Sequence, residues 1–223
     1  HDAVMSTPNP ALVTQRGAQR LPRAALLLFC AAWVVPGVFG RDPWRNADVI
    51  AFDVMSGIAT GRISWLSPTL GGVPFDAPLL PHGLGALFIM ALSPFMDPAL
   101  AARLPFALLL ALTLVCTWYT TFHLARTEAA LPVAFAFGGE AAPVDYARAV
   151  SDAAVLALIA TLGMLQLGHE TTPELVQLFA TSLFLWSLAA APYRLGRARL
   201  AVLAALLALA ASGAPSMALV FGA

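Results

Sequence analysis

Long stretches without an acidic or basic side chain constrain this chain more than any motif in it. Ala24 to Gly40, Leu104 to Ala125, Ala153 to Gly168, Leu175 to Tyr193 and Leu200 to Ala211 contain no Asp, Glu, Lys or Arg. Most of them approach the about 20 residues with which a helix crosses the hydrocarbon core of a bilayer. The chain as a whole agrees, with 60% hydrophobic residues, 11% charged residues and a mean hydropathy of +0.80. Soluble domains are about 25% charged, so an all-α, polytopic membrane protein is expected. A formal net charge of zero removes the concentrated basic face that phosphate backbones require, and no nucleic-acid partner is expected. All twelve basic residues are arginine, which excludes Schiff-base and phosphate-loop lysine chemistry. Cys30 and Cys116 fall inside apolar runs and read as small buried hydrophobes rather than disulfide or metal partners.

The arginines set the orientation. Arg16, Arg20 and Arg23 precede the first apolar run, so residues 1–23 read as a cytoplasmic arm, with Met5 the expected start, leading into an uncleaved signal-anchor helix. His82 to Met96 is apolar but short, with Pro81 before it and Pro94 near its end. If that segment spanned the membrane, Arg194, Arg197 and Arg199 would fall outside, against the positive-inside rule. Laid along the outer surface instead, it leaves every basic loop on the side of the N-terminal arm. The expected architecture is therefore about five transmembrane helices, the first at 24–40 and the others near 101–125, 151–168, 174–192 and 199–213. Two surface helices lie in a long first external loop, 41–100. The loop 126–150 is then cytoplasmic, and its apolar patch from Leu131 to Phe137 reads as a re-entrant or membrane-lying segment. His169-Glu170 and Ser212-Gly213-Ala214-Pro215 face outside. The expected location is the cytoplasmic (inner) membrane, with the N-terminus cytoplasmic and membrane lipids as constant partners.

Within the external loop, Pro43 to Thr60 reads as a helix with proline in its first turn. Ile50, Val54 and Ile58 repeat every four residues, while Arg45, Asn46 and Asp48 gather near the other side at its start, a pattern suited to a helix on a membrane surface. Asp48 is expected on the polar face. From Gly61 to Pro81 the chain is dense in Gly and Pro and reads as a structured loop.

Taken in order, these segments carry a resemblance. A hydrophobic helix is followed by Arg41-Asp42 opening a helix, Trp65-Leu66-Ser67-Pro68, Gly72-Val73-Pro74-Phe75-Asp76-Ala77-Pro78-Leu79 and Ala102-Arg103-Leu104-Pro105. The order resembles that of GT-C class membrane glycosyltransferases, in the branch of the aminoarabinose transferases and the protein O-mannosyltransferases that use dolichyl-phosphate-mannose-type donors. It covers residues 24–216, an N-terminal portion of such an enzyme, with 217–223 as a truncated end. The resemblance implies transfer of a sugar from a polyprenyl-phosphate donor to an acceptor on the external face, with Asp42 as the catalytic carboxylate. Where the family has a second acid this chain has Pro43, and where it has an acid, a lysine and two prolines this chain has Asp76, Ala77 and Pro78. The acceptor is left unassigned.

The residues permit that chemistry. A carboxylate near an apolar boundary gains basicity, because desolvation disfavours its charged form, and Asp42 is the candidate general base. A lipid-phosphate leaving group needs cations nearby, and Arg41, Arg45 and Arg103 are the candidates, with Asp76 and His82 as further substrate-binding residues. Asp76, His169 and Glu170 form a candidate site for a divalent metal ion, since carboxylate with imidazole suits such an ion. Plainer readings stay open. Asp42 before Pro43 is also an N-cap pattern, Arg41 and Arg45 also suit lipid headgroups, and His123 suits a membrane interface. A non-catalytic polytopic subunit or a transporter fragment is the alternative function. Transporters place ionisable groups near the bilayer midplane, whereas here the acids concentrate in one external loop.

Overall fold

Five apolar segments of the sequence become helices, and the polar punctuation between them fixes where each begins. The computed structural model describes residues 12–39, 42–43, 46–161 and 168–223. The first helix, α1 (Arg23–Val34), runs on into a 3-10 turn at Val35–Gly37. The external loop holds α2 (Asn46–Ala59), a two-stranded hairpin of β1 (Thr69–Leu70) and β2 (Val73–Pro74), and α3 (Leu79–Leu92). Then follow α4 (Pro98–Leu124), α5 (Pro143–Ile159), α6 (Pro173–Ala190), α7 (Leu195–Ala211) and the short α8 (Pro215–Gly222).

The chain is predominantly helical, as expected. Among the described residues two helices, α4 with 27 residues and α6 with 18, are long and apolar enough to cross a membrane. At a rise of about 1.5 Å per residue they measure about 40 and 27 Å. The other three expected spans are shorter: α1 has 12 residues, and α5 and α7 have 17 each. At 14 residues, about 21 Å, α3 is, like α1, shorter than the about 30 Å hydrocarbon core.

Each long helix has a physical start. Asp97 caps α4, its Oδ1 accepting from the Ala99 and Leu100 amides at 2.8 and 3.1 Å, and Pro98 follows in the first turn. This is the aspartate-proline opening that the sequence offered at Asp42. Within α4, Thr113, Thr117 and Thr121 each return their hydroxyl to the carbonyl four residues back, at 2.8 to 2.9 Å, which satisfies those three donors inside an apolar helix, whereas the buried Thr120 hydroxyl has no partner. Pro143 and Pro173 occupy the first turns of α5 and α6, where a missing amide costs no helical hydrogen bond.

The core lies where α1, α2, α3, α4, α5 and α6 meet. Trp33, Met55, Ile89, Ala101, Ala102, Phe106, Val155 and Val176 form its centre. A second cluster of Val54, Ile58, Ile63 and Ala86 joins α2 to α3. Gly85 makes that approach possible, because a Cβ there would overlap the Met55 thioether. In the hairpin, Thr69 pairs with Pro74 and Leu70 with Val73. Its two turn residues, Gly71 and Gly72, have φ of 59° and 84°, which a two-residue turn with left-handed geometry at both positions requires.

The loops sort to two ends. At one, a Cβ on Gly213 would meet Pro78 Cγ at 3.0 Å, and Gln177 Nε2 donates to the Ser212 carbonyl at 2.9 Å. At the other, the N-terminal arm joins the 126–150 loop: the Gln15 amide donates to the Gly139 carbonyl at 3.0 Å and the Ala141 amide to the Val13 carbonyl at 3.0 Å. The patch from Leu131 to Phe137 is irregular, and Phe137 is fully exposed. It forms no helix.

Candidate functional site

Three segments distant in sequence bring charged side chains together at the end that carries the Pro78 and Gly213 contact. Asp48 stands in the first turn of α2, where an acid is favoured by the helix dipole. It is 1% exposed, which corrects its expected place on a solvated face. Its Oδ1 accepts from the Thr171 hydroxyl at 2.6 Å and from the Thr171 amide at 3.2 Å, bonds strengthened by the carboxylate charge. Thr171 belongs to the loop that opens α6, and its neighbour Glu170 is buried as well. Arg103 is buried on α4, five residues after Pro98 and so about 8 Å along the axis from the helix start.

The C-terminal end of α1 closes over this cluster. His169 Nε2 donates to the Trp33 carbonyl at 2.9 Å, and its ring stands edge-on to the indole with centroids 5.3 Å apart. Gly37 lies against the His169 ring so closely that a Cβ would overlap it. Gly37, Val38, Arg103, Gly168, His169 and Thr171 are among the residues lining a cavity of about 10 Å³, room for about one water. The cluster is packed rather than open.

The expected site residues divide accordingly. Arg103, His169 and Glu170 come together with Asp48 and Thr171. Asp42 is exposed, four residues beyond the cavity-lining Val38. Asp76 is exposed at the exit of the hairpin. His82 is buried in α3, where Nδ1 donates to the Pro78 carbonyl at 2.8 Å. Burial lowers its pKa below the ordinary 6.5, and the Pro78 bond opposes that shift. Its donor is committed within its own helix. Arg41 and Arg45 lie outside the described residues.

No three His, Cys, Asp or Glu among the described residues gather into a group able to hold a metal ion. Asp76 does not join His169 and Glu170. The reason lies in the geometry, since Asp76 faces outward and His169 Nε2 is spent on the Trp33 carbonyl.

Asp48 and Thr171 were missed as structural anchors. For Asp48 a signal existed, because residues 48, 51, 55 and 58 are spaced as one helical stripe and all four are buried. Thr171, 123 positions away from Asp48, had none. Comparison with protein-family models, curated proteins and solved structures finds no match to this chain.

Proposed function

We propose that the chain is a multi-pass membrane protein, or a part of one, that transfers a sugar from a polyprenyl-phosphate donor to an acceptor at the outer membrane surface, with Asp42 as general base. The observation that carries this reading is the convergence of Asp48, Arg103 and the 168–172 loop beneath the segment that leads to Asp42. Two exposed acids, Asp42 and Asp76, belong to the external loop that this buried cluster anchors. Arg103 lies near the start of α4 rather than at its middle, and with α4 as a span that position favours chemistry on a lipid-borne substrate over midplane ion transport.

The membrane placement has its own support. On α7, Leu200, Leu203 and Leu207 are 59% to 70% exposed and share one face by their spacing. Leu108, Leu112 and Val115, 37% to 54% exposed, share a face on α4. An outward apolar stripe inverts the pattern of a soluble bundle. In this reading α1, α4, α5, α6 and α7 are the spans, α2 and α3 are surface helices, and the arginine-rich end is cytoplasmic. The location proposed is the inner membrane.

Asp48 is then a positioning residue and Asp42 the catalytic one. Asp42→Asn in the complete gene product, assayed for transfer from a polyprenyl-phosphate sugar, is expected to lower kcat about 10²- to 10⁴-fold. Its melting temperature should stay unchanged, since Asp42 is exposed. Asp48→Asn should lower the melting temperature instead. Unchanged transfer by Asp42→Asn overturns the assignment. A non-catalytic membrane subunit is the second reading, favoured by the closeness of the cavity beside Arg103, and absence of transfer in the wild-type chain across lipid-linked sugars would select it.

A further inference from the structure

A second and much larger cavity, of about 520 Å³, opens at the opposite end of the bundle between α4 and α6. Its volume falls within the about 300–1,000 Å³ of small-molecule sites. Cys116 and Leu183 form its apolar end, with the half-exposed Val115 at its edge there, and His123, Arg126 and Arg194 line the other end. From Val115 to Arg126 the wall extends eleven residues, about 16 Å measured along a helix.

The arginine end is organised around aromatic rings. The Arg126 guanidinium lies 5.2 Å from the Phe122 ring centre and 5.4 Å from that of Tyr193. His123 stacks on Tyr193 with centroids 5.1 Å apart and planes 24° apart. Neither Arg126 nor Arg194 has a carboxylate partner among the described residues. His123 is 8% exposed, and its buried Nδ1 has no hydrogen-bond partner. A buried polar nitrogen without a partner is costly, and here it belongs to a residue lining a cavity flanked by two uncompensated cations.

We infer that this cavity is a binding site for an anionic phospholipid, whose phosphate lies against Arg126 and Arg194 within reach of His123, and whose chain lies along the apolar end toward Cys116 and Val115. The elongation of the cavity favours a lipid over a free phosphate, since a compact anion would leave the apolar end unfilled. The inference shares only the membrane placement with the proposed function and is independent of glycosyl transfer.

The test uses the full chain reconstituted in phosphatidylcholine vesicles containing a minor fraction of phosphatidylglycerol. After detergent extraction, the ratio of the two lipids retained on the protein is measured by mass spectrometry. The wild type is expected to retain phosphatidylglycerol in excess, and Arg126→Gln/Arg194→Gln to lose that excess by about thirtyfold. Arg197→Gln/Arg199→Gln removes the same charge from the neighbouring, exposed start of α7 and should leave the excess in place. Leu183→Trp, which fills the cavity without changing charge, should also abolish it, and unchanged melting of each variant shows that the fold persists.

Competition by inorganic phosphate alone would keep the anion site and assign it to a soluble phosphate. Equal loss in both arginine pairs, or no excess in the wild type, overturns the proposal. A chain that alkaline carbonate strips from vesicles refutes the membrane placement and the lipid site together. A chain that stays but shows no excess refutes the lipid site alone.

Discussion

Asp152 offers the sharpest test of how the bundle is held. It is 7% exposed on α5, and its two oxygens serve two different segments. Oδ1 accepts from the Trp118 indole nitrogen on α4 at 2.8 Å, and Oδ2 accepts from the Leu21 amide in the N-terminal arm at 3.1 Å. Asp152→Ala strands both donors, each costing about 1–3 kcal/mol if left unsatisfied in the interior. Leu21 is only half-buried, so water reaches its amide in part, and the expected loss is about 2–4 kcal/mol. For a chain of this size, that lowers the melting temperature by about 4–16 °C.

The assay is thermal unfolding of the detergent-solubilised chain, followed by far-ultraviolet circular dichroism. Trp118→Phe and the double variant complete a cycle, and a coupling of about 1 kcal/mol or more is expected for the indole bond. Trypsin should also cut at Arg16, Arg20 and Arg23 sooner in Asp152→Ala, because the arm loses its tether. Additivity of the two substitutions within about 0.5 kcal/mol, with unchanged cleavage of the arm, would refute the account.

Two further outcomes follow from packing and charge. Gly37→Ala places a methyl group on the His169 ring and should cost about 1–3 kcal/mol. His169→Ala in the same background should recover much of that loss in a melting measurement, and no recovery would refute the clash. His82, whose pKa is lowered from 6.5 chiefly by burial, contributes stability that is fully present above pH 6.5. That contribution is lost as pH falls from there through the lowered folded-state value, because the unfolded chain then binds the proton more tightly. Melting profiles against pH should therefore fall more steeply below pH 6.5 in the wild type than in His82→Gln; parallel profiles would show that the ring does not titrate with folding.

Much of the architecture was legible from where charges are missing. The segments expected near 101–125, 174–192 and 199–213 are helical as α4, α6 and α7, and of these α4 and α6 are long and apolar enough to cross a membrane. Ile50, Val54 and Ile58 correctly marked α2, but the neighbouring stripe of Ala51, Met55 and Ile58 also buries Asp48. Reading only the apolar members of the stripe hid the acid among them. The helix α5 begins at Pro143, well before the expected 151, because its first half is amphipathic and carries Asp145, Arg148 and Asp152. The partners of those acids lie in other segments: Gln15 donates to Asp145 at 3.1 Å across 130 positions. Pairings of that separation leave no local pattern. At the candidate site, residue types were legible and distances were not, so Asp42 and Asp48 could not be sorted into exposed and buried before the fold was known.

The burial of Arg103 also bears on the order in which the chain is made. On the membrane reading, α4 enters the bilayer with an arginine near its outer end before the 168–172 loop, which lines the same cavity, has been synthesised. Thr171 follows Arg103 by 68 positions, and at about 5–20 residues per second the interval is about 3–14 s. During it the guanidinium must reach headgroups or water, which the short distance to the start of α4 allows. Moving the arginine deeper, as in Arg103→Leu with Leu110→Arg, would place the charge about 10 Å further in and should impair insertion before any tertiary contact is tested.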